Sequence, residues 1–76
     1  MSERLPRITA AQLLRALRRD GWYVDDQAGS HVHLRHPVKR AKLTVAAHRG
    51  AIIKPKVLQT TLDLAELTVE DLRRLL

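Results

Sequence analysis

The residues best suited to chemistry lie in one short run, Gly29-Ser30-His31-Val32-His33-Leu34-Arg35-His36. Ala28-Gly29-Ser30 reads as a turn, and the residues after it alternate polar and apolar. Successive strand side chains point to opposite faces, so Val32 and Leu34 share one face and His31, His33 and Arg35 the other. The apolar pair can pack on a core, which leaves two imidazoles and a guanidinium in a row toward solvent. Imidazole takes or gives a proton near neutral pH. A guanidinium keeps its charge and offers a planar fork to phosphate oxygens. Together these groups suit work on a phosphodiester.

RNA carries its own nucleophile, the 2′-hydroxyl, and needs a base to free it. His31 is the candidate base, because an unperturbed imidazole has an acidity close to the optimum for such a transfer. The departing 5′-oxygen needs a proton in return. His33 points the same way roughly 7 Å along the strand, while His48, a lysine and water are alternatives. Arg35, or a lysine from Lys39 to Lys42, is placed to stabilise charge on the phosphate oxygens. The expected reaction needs no metal and leaves a 2′,3′-cyclic phosphate or the 3′-phosphate derived from it. Each residue also has a plainer use. A histidine on a strand surface is commonly a solvated polar group, and Gly29 and Ser30 serve a turn. His36, just before Pro37, reads as structural or exposed, and at least one of Trp22 and Tyr23 belongs in the core. His31-x-His33 is also a pair of potential zinc ligands. No carboxylate lies between Gln27 and Lys56 to complete such a site, and the basic residues there oppose a dication, so no metal site is expected.

With 76 residues the chain is read as one domain, 1–76. A domain of this size buries only about 60% of its unfolded surface, which leaves no room for a deep cofactor cleft. There is no cysteine, which rules out disulfides and thiolate metal sites. The opening residues lack the apolar stretch of a signal peptide, and no apolar run is long enough to span a bilayer. The expectation is a soluble cytoplasmic protein. Its formal net charge is +6, concentrated in the middle: Arg35, Lys39, Arg40, Lys42, Arg49, Lys54 and Lys56 occur with no acidic residue among them. A one-sided basic stretch is the footprint of a polyanion partner.

The elements that must position these groups follow in order. Pro6 bars a helix through the extended lead, residues 1–8. Thr9-Ala10-Ala11-Gln12 is a capping box, and Leu13, Leu14 and Leu17 share one helical face, so a helix is expected from Thr9 to Asp20, ended by Gly21. Trp22-Tyr23-Val24 reads as a strand, Asp25 to Ser30 as a polar loop, His31 to Arg35 as a second strand stopped by Pro37, and Lys42 to Ala46 as a third. Pro55 opens a second helix with Val57, Leu58 and Leu62 as its apolar stripe. Thr68-Val69-Glu70-Asp71 starts a short third helix. The result is an α+β fold of order α-β-β-β-α: a three-stranded antiparallel sheet, helices on one face, and a short C-terminal helix. Double-stranded-RNA-binding domains share that order.

Read along nearly its whole length, the chain resembles the HicA family of toxins, the mRNA endonucleases of HicA–HicB toxin–antitoxin pairs. Thr9 to Leu17 followed by Asp20-Gly21-Trp22 is similar to the family's opening helix and its exit. Gly29-Ser30-His31 is similar to the Gly-Ser-His whose histidine is catalytic. Leu43-Thr44-Val45-Ala46-Ala47-His48 resembles the third strand, with Ala46 where the family usually has proline. Lys54-Pro55-Lys56-Val57-Leu58 through Leu67-Thr68-Val69-Glu70-Asp71 resembles the closing helix and tail. The resemblance implies a ribonuclease with His31 as its catalytic residue, and Gly29, Ser30, His33 and His48 are the candidates for a further catalytic or RNA-contacting role. Arg35, Lys39, Arg40, Lys42 and Lys54 are the phosphate ligands expected from charge. The implied partners are mRNA and a HicB-type antitoxin, with no cofactor and no membrane. The competing reading is a non-catalytic double-stranded-RNA-binding module, which needs bases and polar groups but no histidine after Gly-Ser.

Overall fold

A computed structural model describes residues 4–76. The elements are α1 (Ala10–Arg19), β1 (Tyr23–Ala28), β2 (His31–Arg35), β3 (Leu43–Ala46), α2 (Pro55–Leu64) and α3 (Val69–Leu75). The strands form one antiparallel sheet in the order β1-β2-β3, with β2 in the centre. The fold is therefore the α+β arrangement expected from the pattern. Of the expected extended lead, residues 1–3 lie outside the described residues.

The capping box at the start of α1 forms as read. The Thr9 hydroxyl accepts from the Gln12 N–H, and the Gln12 side chain accepts from the Thr9 N–H at 2.9 Å. Each bond satisfies an amide that the helix leaves without a partner, worth about 1 kcal/mol for a capping side chain. Leu13 and Leu17 are buried on the inner face of α1. Val32, Leu34, Leu43 and Val45 alternate inward from β2 and β3 to meet them, and Leu58 and Leu62 of α2 and Leu72 of α3 complete the core. Ile8 is buried as well, and Ile53 donates its N–H to the Ile8 carbonyl at 2.9 Å. That bond and the Thr9–Ile52 bridge pin the segment before α2 against the start of α1.

One element differs from expectation. Asp25 to Ser30, read as a polar loop, is mostly strand: β1 runs to Ala28 and the turn is Gly29-Ser30 alone. The pattern hides this because β1 is exposed along its whole length. A strand that buries neither face shows no alternation. A register shift between Val24 and Asp26 absorbs the extra residue as a bulge, and backbone pairing to β2 outweighs the poor strand propensity of aspartate.

The α1–β1 junction is a polar hub. Gly21 sits at φ 107°, and a Cβ there would come within 2.8 Å of His36 Nε2, so only glycine fits. Trp22 is buried and meets the His36 ring edge-on at a centroid distance of 5.1 Å. His36 Nδ1 accepts from the Val38 and Lys39 amides, which puts the ring proton on Nε2, 2.8 Å from the Asp20 carbonyl that accepts it. His36 is thus structural.

Candidate active site

A type II′ hairpin needs glycine at its first central position, and Gly29 takes it at φ 59°. Ser30 follows, its carbonyl accepting from the Ala47 N–H at 2.6 Å. This turn delivers His31 as the first residue of the central strand, exposed on the outer face. Its cross-strand partners are Ala28 on β1 and Ala46 on β3. Two methyl groups flank the imidazole, so no large cross-strand side chain covers it.

The next outward position is His33. Asp26 stands opposite it on β1 and Thr44 on β3, and its Nδ1 lies 2.9 Å from Thr44 Oγ1. Arg35 ends the row, opposite Tyr23. The sheet thus presents three cross-strand rows: Ala28–His31–Ala46, Asp26–His33–Thr44 and Tyr23–Arg35. Tyr23 is exposed and Trp22 buried, which divides the aromatic pair between surface and core.

His48 follows β3 on an exposed loop. It lines a cavity of about 300 Å³ together with Thr44, Ala46, Ile52, Lys54 and Val57. A neighbouring cavity is lined by Lys42, Thr44, Lys54, Lys56 and Thr60. The structure therefore gathers His48, Lys42 and Lys54 at the free edge of β3, next to the row that holds His33. Lys56 joins them, although it was not among the expected ligands. Its signal is its place in the acid-free basic stretch, two residues after Lys54 and across the proline that opens α2. Arg40 is exposed in the connection between β2 and β3.

Lys39 is not part of that surface. Its ammonium donates to Asp20 Oδ2 at 2.7 Å and to the Ala65 carbonyl at 2.8 Å. Asp20 Oδ2 also accepts from Trp22 Nε1 at 3.2 Å. A cation at the C-terminus of a helix complements its dipole and satisfies an orphan carbonyl. The expected phosphate ligand is thus a tie between the ends of α1 and α2. The sign of a charge in a sequence says nothing about which way its side chain turns.

Two residues of this face carry no signal as candidates in the sequence, Asp26 and Thr44. Alternation places Thr44 outward, but what it faces depends on strand register. Asp26 falls in the stretch whose composition reads as a loop. Among the described residues no group of three His, Cys, Asp or Glu side chains is arranged to hold a metal ion. No helix among them is long and apolar enough to cross a membrane.

No curated protein matches the chain. The family model described as the HicA toxin of bacterial toxin–antitoxin systems matches residues 10–67. That span runs from the first residue of α1 through the sheet to the loop before α3, and so takes in Gly29-Ser30-His31, the basic β3 edge and the Asp20–Trp22–Lys39 hub. The exposed histidine on the central strand thus lies within a match covering most of the chain, and the chain belongs to the HicA toxin family.

Proposed function

We propose that this toxin is an endoribonuclease that cleaves mRNA without a metal ion or other cofactor, with His31 as the general base. The observation that carries the reading is His31 itself, exposed on the central strand between Ala28 and Ala46. His31 takes the 2′-hydroxyl proton and the freed oxygen attacks the adjacent phosphorus. The 5′-oxygen leaves, giving a 2′,3′-cyclic phosphate and a 5′-hydroxyl. Arg35, Arg40, Lys42 and Lys54 hold the phosphate backbone. A HicB-type antitoxin silences the toxin by laying an acidic surface over Arg35, Arg40 and Lys42 and covering His31. That complex forms faster at low salt. The toxin acts in the cytoplasm, where mRNA is translated.

The test is cleavage of a defined transcript by the purified chain in EDTA, with the new ends identified. Cyclic-phosphate ends are expected, and His31→Ala is expected to lower the rate by about 10²–10⁴-fold while RNA binding persists. Induced expression of the wild type, but not of His31→Ala, is expected to arrest growth and deplete RNA. Ends bearing a 3′-hydroxyl, or undiminished cleavage by the variant, would overturn the assignment.

A further inference from the structure

We propose that His33 protonates the leaving 5′-oxygen and that Thr44 is the positioning residue that aims it. This inference rests on the ribonuclease reading above. The Ala47 amide donates to the Ser30 carbonyl, which sets the alternation of the β2–β3 ladder. His33 and Thr44 therefore face each other at a non-hydrogen-bonded pair, where opposing side chains come closest. The Thr44 hydroxyl is 2.9 Å from Nδ1 of the ring. With Nδ1 engaged sideways along the sheet, Nε2 is the nitrogen turned to a substrate. Asp26 occupies the opposite flank on β1, so the imidazole is bracketed on both sides by polar groups of its own sheet.

The spacing fits the reaction. In an in-line displacement the entering and leaving oxygens stand on opposite sides of the phosphorus. Each histidine reaches its oxygen across a hydrogen bond of roughly 2.6–3.2 Å, and the two rings are separated by about 7 Å along one strand face. The O2′–P bond forms as the P–O5′ bond breaks. The 2′-hydroxyl proton passes to His31, and a proton from His33 Nε2 passes to O5′. One histidine gains what the other loses, so the enzyme ends the step with the two protonation states exchanged. With Nδ1–H donating to Thr44 Oγ1, the nitrogen that passes its proton to O5′ is Nε2.

The experiment compares RNA with uridine 3′-(4-nitrophenyl phosphate), whose leaving group departs without a proton. His33→Ala is expected to slow RNA cleavage by about 10²-fold or more and to leave the nitrophenyl ester within about threefold of wild type, because only the acid is missing. His31→Ala is expected to slow both. Thr44→Val keeps the side-chain shape on an exposed position and is expected to lower kcat on RNA about tenfold with KM unchanged. Thr44→Ser restores the hydroxyl and is expected to recover most of that loss. Unchanged melting temperatures keep the comparison on the chemistry. If His31→Ala is inactive but His33→Ala and Thr44→Val cleave RNA like wild type, the relay is refuted and the base stands. Equal losses on both substrates for His33→Ala would likewise overturn the acid assignment. If His31→Ala cleaves normally, the underlying ribonuclease site is the part that fails.

Discussion

Replacing Lys39 by methionine separates a structural charge from a binding one. The ammonium makes two charge-assisted hydrogen bonds, 2.7 Å to Asp20 and 2.8 Å to the Ala65 carbonyl. Bonds of this kind contribute about 1.5–3 kcal/mol each. Lys39 and Asp20 side chains retain 19% and 22% exposure, so water partly replaces what the variant loses. The lower end of the range applies, and Lys39→Met is expected to cost about 2–3 kcal/mol. A domain of this length holds roughly 4–11 kcal/mol in all, so the melting temperature is expected to fall by roughly 10–20 °C. Thermal and urea denaturation followed by circular dichroism reads both quantities. A double-mutant cycle with Asp20→Asn is expected to return a coupling of about 1–2 kcal/mol, and Lys42→Met, on the exposed edge, is expected to stay within about 0.5 kcal/mol of wild type. If Lys39→Met melts with the wild type and binds RNA more weakly, its ammonium faces the phosphate backbone and the tie to Asp20 and Ala65 is refuted.

Three further outcomes follow from the same geometry. In a His31→Ala background, Lys42→Ala and Lys54→Ala are each expected to lower the dependence of log affinity on log salt by about 0.7 for single-stranded RNA, read by titration at several salt concentrations. An unchanged slope would remove these residues from the phosphate set. Gly21→Ala puts a Cβ 2.8 Å from His36 Nε2 at φ 107° and is expected to destabilise by about 1–3 kcal/mol, measurable by urea denaturation. A neutral result would mean the hub tolerates movement of His36. The Thr68 backbone amide holds the Asp71 carboxyl below the usual carboxylate range, helped by the Thr68 hydroxyl and the Arg74 guanidinium. A carboxyl whose folded value is depressed stabilises above its unfolded value and loses that contribution as pH falls through the folded one. Asp71→Ala should therefore melt below wild type at pH 7, with the gap closing as the solution is acidified below the usual carboxylate range. A gap constant with pH would show that the carboxylate's charge does not carry the loss, since alanine's higher helix propensity acts in the opposite direction.

The strand that carries His31 was readable because it buries one face: Val32 and Leu34 inward and His31, His33 and Arg35 outward form a period of two that burial enforces. The capping box at Thr9 was readable because its donors and acceptors lie three residues apart and need no tertiary context, and the box that forms at Thr68 has the same spacing. β1 was only half visible, since a strand with both faces in water leaves no hydrophobic trace. The inward turn of Lys39 was invisible for a different reason. Its partners, Asp20 and the Ala65 carbonyl, are 19 and 26 residues away, and only the packed fold brings them together. Thr44 and Asp26 became neighbours of His33 through strand register, set by the Gly29-Ser30 turn on one side and by the β2–β3 ladder on the other.

That bulge has a consequence for crowding. β1 is the outer strand of the sheet and leaves a row of unpaired backbone groups facing solvent. Such an edge is a template on which a second molecule can add its own strand and begin an aggregate. Here Asp25 and Asp26 sit at the irregularity, so an incoming copy would meet two negative charges and a kinked ladder. Tyr23 and Val24, the exposed apolar residues of the strand, lie on the far side of that kink and give a matching strand too short a stretch to grip. The two aspartates, poor strand formers by any propensity scale, thus oppose strand addition at the β1 edge of an open sheet.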